Sequence, residues 1–249
     1  MRLKILSWNV YCRNRRFDKA LRFIDSHGAD VICLQEVPVE ILHIIKKESP
    51  YFISEAMSHD HGKKPLKTRN VIISRYPIQE TRSFLFKDEA KHSIKSRVTK
   101  LTGPLEFHYV DILLEDKKVR VFNSHLECNT SPRVRAEQFK QVVKESKDDR
   151  INIYCGDLNT YGKWYINLFI GYFSNYTFRD IAQSEKKLFS KIFNEYNLFD
   201  VFSGHVTYPR FLLQLDHILI PRDIEVISKK VYKQRYGSDH RPVFVEVEI

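Results

Sequence analysis

The sequence predicts an α/β or α+β protein with two layers of β-sheet. Short apolar runs of strand length interleave with amphipathic helical patterns along the 249 residues. Two of the strand runs are separated only by a charged turn and read as a hairpin, so the sheets are not purely parallel. No Gly/Ser linker, low-complexity tract or repeat breaks the chain, and residues 1–249 read as a single domain.

Each element has its own signal. "RLKILSWNV" is a strand. "FDKALRFIDSHG" is a helix with Phe17, Ala20, Leu21 and Ile24 on one face and Gly28 as its stop. "DVICLQEV" is a short buried strand, "EILHIIKKE" a helix, and "NVIISRYPI" a strand running into a proline turn. "PLEFHYVDILLED" and "KKVRVFNSHLE" form the hairpin, turning at Asp116-Lys117. Ser131 and Pro132 suit the N-cap and first position of the helix "RVRAEQFKQVVKES", whose Ala136, Phe139, Val142 and Val143 face inward. "RINIYCGDLN" is another buried strand, the aromatic-rich region from Tyr161 to Phe202 is mainly helical, and "LDHILI" and "RPVFVEVEI" close the chain as strands.

Composition narrows the function. Lys and Arg outnumber Asp and Glu by 41 to 31, a formal charge of +10, which favours anionic partners, nucleic acid before membrane surfaces. Cys12, Cys33, Cys128 and Cys155 are scattered without zinc-type spacing, and Cys33 and Cys155 lie in apolar runs as buried thiols. The N-terminus enters a strand pattern at once, with no signal-peptide core, and no stretch is apolar enough to span a bilayer; these features predict a cytoplasmic protein.

The polar residues collect where strands stop. "KILSW" ends at Asn9, "VICLQ" at Glu36 and "VRVFNS" at His125; "INIYCG" runs into Asp157 and Asn159; "LLQL" opens onto Asp216-His217; a Gly237-Ser238 turn presents Asp239 and His240. Singly, such an Asp or Asn is a turn former, and His217 reads as a structural histidine. Together they resemble the rim of a sheet-based catalytic site. Four acids and two carboxamides make an oxygen-rich site suited to Mg²⁺ or Mn²⁺ rather than zinc. No Ser or Cys is paired with a base, so water is the expected nucleophile. Acid, carboxamide and imidazole around a hard cation suit hydrolysis of a phosphate ester, because charge developing on phosphorus needs cationic and hydrogen-bonding stabilisation.

The segments "SWNV", "LQEV", "NSHLE", "GDLNT", "LDHIL" and "SDHRPV" resemble, in order and rough spacing, the motifs of the endonuclease/exonuclease/phosphatase superfamily, over nearly the whole chain. The resemblance implies a four-layer α/β/β/α sandwich of two mixed, mainly antiparallel sheets with helices outside. By position it implies Glu36 as principal Mg²⁺ ligand, Asn9 beside it in the metal shell, and Asp239 beside the metal region in a second-ion position. It makes Asp157 the residue that orients or deprotonates water and Asn159 the holder of a phosphate oxygen. His240 would stabilise or protonate the phosphoryl group, Asp216 would fix its tautomer, and His125 would be a second imidazole at the phosphate.

Departures narrow the branch. "SWNVYCRN" lacks the "WNVNG" extension of exonuclease III-type endonucleases, "LQLDHIL" replaces the inositol 5-phosphatase signature, and the export signals of sphingomyelinases and DNase I are missing. "SHLE" followed by Arg135 and Gln138 is closer to the His-containing branch of tyrosyl-DNA phosphodiesterase-like and small bacterial-type members. Two basic clusters, Arg13, Arg15 and Arg16, and Lys63, Lys64, Lys67 and Arg69, flank the predicted site and suit a phosphodiester backbone; aromatics in "TYGKWYINLFIGYF" are core or stack unpaired bases. The leading expectation is therefore a monomeric Mg²⁺-dependent nuclease or DNA-end phosphodiesterase, with Mn²⁺ substituting, DNA favoured over RNA and no protein partner. A phosphodiesterase of phospholipids or small esters is the alternative, and a non-catalytic nucleic-acid-binding protein a remote one.

Overall fold

The computed structural model describes residues 1–61, 66–87, 105–163, 165–168, 171, 176–177, 180 and 184–249. Strand β1 (Arg2–Asn9) is apolar on both faces: Leu3 and Ile5 join one core, Leu6 and Trp8 another, and all four are fully buried. Helix α1 (Phe17–His27) ends where Gly28 takes the left-handed conformation at φ 76°. It returns the chain to β2 (Val31–Pro38), parallel to β1. Helix α2 (Val39–Glu48), β3 (Phe52–His61), β4 (Leu66–Ser74) and β5 (Ile78–Leu85) follow, then the hairpin β6 (Glu106–Leu114) and β7 (Lys117–His125). Ser131 caps α3 (Pro132–Lys144) by accepting from Val134 N at 3.5 Å, and α3 leads to β8 (Ile151–Asp157), parallel to β7. The remaining elements are α4 (Glu185–Glu195), β9 (Leu198–Asp200), β10 (Asp216–Pro221), β11 (Glu225–Val231) and β12 (Val243–Glu248).

The strands form two mixed six-stranded sheets, in the orders β11-β12-β1-β2-β4-β3 and β5-β6-β7-β8-β10-β9. Each sheet is built on one plan. A central parallel pair is joined by a crossover helix, and every other neighbour is antiparallel. Ile5, Val31, Cys33 and Val245 of one sheet meet Val110, Val121, Cys155 and Ile218 of the other in the inner core. Leu6, Trp8, Leu34 and Ile73 face α1 and α2, while Phe122, Tyr154 and Leu219 face α3 and α4. These are the four expected layers, α/β/β/α.

Several elements differ from the sequence reading. The hairpin turns at Glu115-Asp116, one residue early, because Glu115 itself takes the positive φ of 55°. Phe23, not one of the four residues read as the face of α1, is its most buried large side chain, packed edge-on to Trp8 at 5.9 Å. The Tyr161–Phe202 region contains α4 but also strand β9. Strands β5 and β11 escaped notice because they are largely exposed sheet edges with mixed polar sequence, "IQETRSFL" and "EVISKKV".

His108, on β6, is fully buried between the sheets, and burial pushes its pKa down to about 3 against a smaller opposing contribution from the Ser54 backbone. The unfolded chain, with an ordinary imidazole near 6.5, then binds a proton the folded chain does not. Folding stability should fall as pH drops from about 6.5 towards 3, with this group contributing a slope approaching about 1.4 kcal/mol per pH unit. Urea denaturation across that range should show a shallower slope for His108→Gln; identical slopes would refute the assignment.

Candidate functional site

Strand parity delivers the polar cluster. Residues of β1, β7, β8 and β10 that face the inner core run Leu3, Ile5 to Asn9; Val119, Val121 to Asn123 and His125; Ile153, Cys155 to Asp157; and Ile220, Ile218 to Asp216. Each series changes from apolar to polar at the same end of the sandwich. Register aligns them further: Asp157 is the ladder partner of both His125 and Asp216. Gly156 makes that alignment possible, since at φ 147° an added Cβ would lie 1.9 Å from the Ser124 carbonyl oxygen.

Glu36 breaks the parity. By alternation from Gln35 it would point outward, but β2 carries one extra residue between Leu34 and Val37, and Glu36 sits at φ 57° within this bulge. The bulge is braced from the opposite sheet. Asn123 Nδ2 donates to the Leu34 and Val71 carbonyls at 2.9 and 3.0 Å, and Asn123 Oδ1 accepts from Gln35 Nε2 at 2.8 Å. These groups are fully buried, so the bridge satisfies polar atoms that water cannot reach.

Hydrogen bonds then join the two sheets at the rim. Asn9 Nδ2 donates to Glu36 Oε1 at 3.1 Å and Asp157 Oδ2 at 3.0 Å, while Asn9 Oδ1 accepts from Tyr11 N at 3.0 Å. Glu36 Oε2 accepts from Cys12 N at 3.0 Å. Asp157 Oδ1 accepts from Asn159 N at 2.9 Å, and its Oδ2 lies 3.7 Å from Nε2 of both His125 and His240. His125 Nε2 is also 3.9 Å from Glu36 Oε1. His240 Nδ1 donates to Asp216 Oδ2 at 2.9 Å. Asn159, left-handed at φ 50°, donates through Nδ2 to the Leu126 carbonyl at 2.8 Å. All eight residues expected from the sequence stand at this one end of the sandwich.

Charge decides their protonation. Burial works against a charged His240, but Asp216, Asp157 and Asp239 outweigh it and push its pKa up to about 10. It is an imidazolium at neutral pH. Burial raises the Asp157 carboxyl, opposed by His240 and His125. Asp239 is raised by burial and, after the opposing pull of His240, by the charge of Glu36.

That last repulsion tests the fit of a cation. Asp239 Oδ1 is buried and accepts no hydrogen bond among the described residues, and the carboxylate faces the field of Glu36. Two acids set against each other, one with an orphaned oxygen, fit a hard divalent ion. Asn9 meets both acids through its nitrogen, while its oxygen accepts from Tyr11 N. One donor atom each of Asp157, Asp216 and His240 also lie within 4.8 Å of one another, a second cluster in which the imidazolium offsets one of the two carboxylate charges.

Other residues escaped the sequence reading. Ser238 Oγ donates to the Asn9 carbonyl at 2.7 Å and accepts from His240 N at 2.9 Å, tying the β12 approach to β1. Thr207 Oγ1 accepts from Leu215 N and Asp216 N, both at 3.0 Å, and the Tyr208 ring lies 4.9 Å from that of His240. Only Asn123 had a signal, its parity with His125. His217 is buried, with Nδ1 3.0 Å from Asp200 Oδ2 and Nε2 2.8 Å from Thr160 Oγ1. Arg135 lies wholly in the interior, 2.6 Å from Glu185, and Gln138 accepts from Glu127 N at 3.0 Å.

Arg13, Arg15 and Arg16 are exposed on the turn after β1. Lys67 is exposed, whereas Arg69 pairs with Glu55 at 3.5 Å; Lys63 and Lys64 lie outside the described residues. Of the aromatics after Asn159, Tyr161 donates to the Cys128 carbonyl at 2.8 Å and Tyr165 is 51% exposed. Trp164, Phe169, Tyr172 and Phe173 lie outside the described residues.

Two face-to-face sheets with acids and imidazoles meeting at one shared rim define the fold and its polar site. The chain belongs to the endonuclease/exonuclease/phosphatase family, whose model matches residues 6–240; members of this superfamily are hydrolytic enzymes acting on phosphoesters. In fold it is similar to an endonuclease/exonuclease/phosphatase from Beutenbergia cavernae, with a TM-score of 0.75 and 16% identity over 100% of this chain and 72% of that one. A family protein from Leptotrichia buccalis aligns at TM-score 0.72 and 18% identity over 99% and 100% of the two chains. D. rerio TDP2 complexed with single strand DNA product aligns at TM-score 0.66 and 16% identity over 100% and 99%. No curated protein sequence matches the chain.

The Asn123 bridge should be expensive to lose. Asn123→Ala strands the Leu34 and Val71 carbonyls and the Gln35 amide, and should destabilise the fold by about 3 kcal/mol. Chemical denaturation measures this, and a loss below about 1 kcal/mol would show the bridge to be incidental.

Proposed function

We propose that the chain is a divalent-metal-dependent phosphodiester hydrolase acting on nucleic acid, with DNA favoured over RNA. The observation that carries this reading is Asp157. Its Oδ2 meets the Asn9 amide on one side and faces the His240 imidazolium on the other, next to the opposed acids Glu36 and Asp239.

Mg²⁺, which Glu36 and Asp239 would hold with Asn9 steadying Glu36, supplies positive charge to the phosphate oxygens. The chain's own residues do the rest. Asp157 Oδ2 orients a water and takes its proton, a role suited to a carboxylate raised by burial. The second N–H of the Asn159 carboxamide holds a non-bridging oxygen. His240 Nε2, protonated because Asp216 anchors Nδ1, donates to the phosphoryl group as its charge builds. His125 Nε2 adds a second imidazole on the same side of Asp157 Oδ2 and Glu36.

The charge of +10, the exposed arginines after β1 and the likeness to a protein complexed with a single-strand DNA product support a nucleic-acid substrate. The test is a panel of plasmid, single- and double-stranded DNA, RNA, an abasic duplex and a 5′-tyrosyl oligonucleotide, each with Mg²⁺, Mn²⁺ or EDTA. Cleavage should require the metal, and Asp157→Asn should lower it about 10³-fold. Hydrolysis confined to phosphoinositides or simple esters would overturn the nucleic-acid reading, and cleavage undiminished by EDTA would overturn the metal.

A further inference from the structure

Beside the site, on the helical face of the second sheet, lies a cavity of about 340 Å³. Its wall begins at Thr160, the residue after Asn159, and includes Lys163, Lys186, Phe193, His205 and Leu212. Its acids are already neutralised from within: Glu185 by Arg135 at 2.6 Å, Asp200 by His217 at 3.0 Å. The field at the mouth is therefore set by the lysines. Lys186 and Ser190 also line an adjoining open groove, which continues along α4 past Lys187 and Lys191 to Asn194.

The lysines of this face form no ion pair among the described residues, and all three on α4 are exposed. Lys187 and Lys191 stand one turn apart, a like-charge arrangement that is unfavourable for a helix until an anion comes between them. Arg13, Arg15 and Arg16 are exposed on the turn that follows Asn9 at the end of β1. The Asn9–Asp157 hydrogen bond joins the strand that leads into these arginines to the strand that leads into the cavity wall at Thr160.

We propose that the exposed face of α4 is a binding track for the backbone of single-stranded nucleic acid leaving the site, with one unpaired base seated in the adjoining cavity against Phe193 and Leu212. The proposal rests on the nucleic-acid reading above and deepens it. A polyanionic strand satisfies both features at once: phosphates on Lys186, Lys187 and Lys191, and a planar apolar face for a cavity with Phe193 on its wall and Leu212, 64% exposed, at its edge. A duplex has no free base to offer the cavity.

The experiment uses the full chain carrying Asp157→Asn, with and without Lys187→Glu and Lys191→Glu. Binding of fluorescent thymidine 4-mers, 12-mers, a 12-base-pair duplex and phosphatidylserine vesicles is followed from 50 to 300 mM KCl at fixed Mg²⁺. The 12-mer should bind more tightly than the 4-mer. The double substitution should weaken it about tenfold at physiological salt and lower the slope of log K against log salt by about 1.4, two contacts' worth for a single strand. The 4-mer and, in the Asp157 background, hydrolysis of bis(p-nitrophenyl) phosphate should not change. Because both lysines are exposed, an unaltered melting temperature confirms that the fold is intact.

Equal affinity and salt slope in the two proteins would overturn the track, as would a loss confined to vesicles or to the duplex. If the wild-type chain cuts oligonucleotides while binding ignores the substitutions, the track alone fails. If nothing is cut but single-strand binding responds as expected, the track stands and the hydrolase reading falls.

Discussion

The reach of Asn123 from one sheet to the backbone of the other is the constraint on which the site depends. Packing by aliphatic side chains between sheet faces is non-directional. A carboxamide bound at once to Leu34, Val71 and Gln35 is directional. It holds the sheets at one spacing and one offset beneath the rim, and it donates to the carbonyls of Leu34 and Val71 where the β2 bulge begins. Glu36, on that bulge, is aimed by a residue that never touches it.

Above the bridge, each half of the molecule contributes four residues. The first sheet brings Asn9 and Glu36, together with the Asp239-His240 lip of β12, while the second brings His125, Asp157, Asn159 and Asp216. Two hydrogen bonds at the rim cross between the sheets: Asn9 to Asp157 and His240 to Asp216. The loop after Asn159 has its own anchor in the buried Arg135–Glu185 pair, because Glu185 Oε2 accepts from Gly162 N at 3.1 Å and the Arg135 guanidinium lies 4.6 Å from the centre of the Tyr161 ring. A fully buried ion pair adds little net stability against an apolar replacement, but its fixed geometry suits a segment that must not drift.

The site was legible because its residues interrupt strong local patterns. Asp157 and Asn159 end an unmistakable apolar run, and Asp239-His240 sit in a turn just before regular alternation begins. The edge strands β5 and β11 were illegible for the opposite reason: half-exposed strands obey neither the apolar run nor the helical period. Arg135 is buried although a charged residue on a helix is ordinarily solvated, and the three-dimensional position of Glu185, fifty residues on, explains its burial. Asn9 shows a finer limit. Its place in the cluster follows from the strand ending there, but whether oxygen or nitrogen faces the acids is decided by Tyr11 N, a backbone group no pattern reveals.

Strand β12 enters between β11 and β1, and its approach carries Asp239 and His240. It is the final strand in chain order, and its partner β1 is the first. While the ribosome is still translating residues beyond β10, β1 has an open edge and Asp157 has no imidazolium opposite it. The growing polypeptide is thus chemically incomplete until its last strand docks, and the closing step joins segments 232 residues apart, as the Trp8 to His240 hydrogen bond records. Such long-range pairing is slow to form, so nascent chains would emerge disarmed.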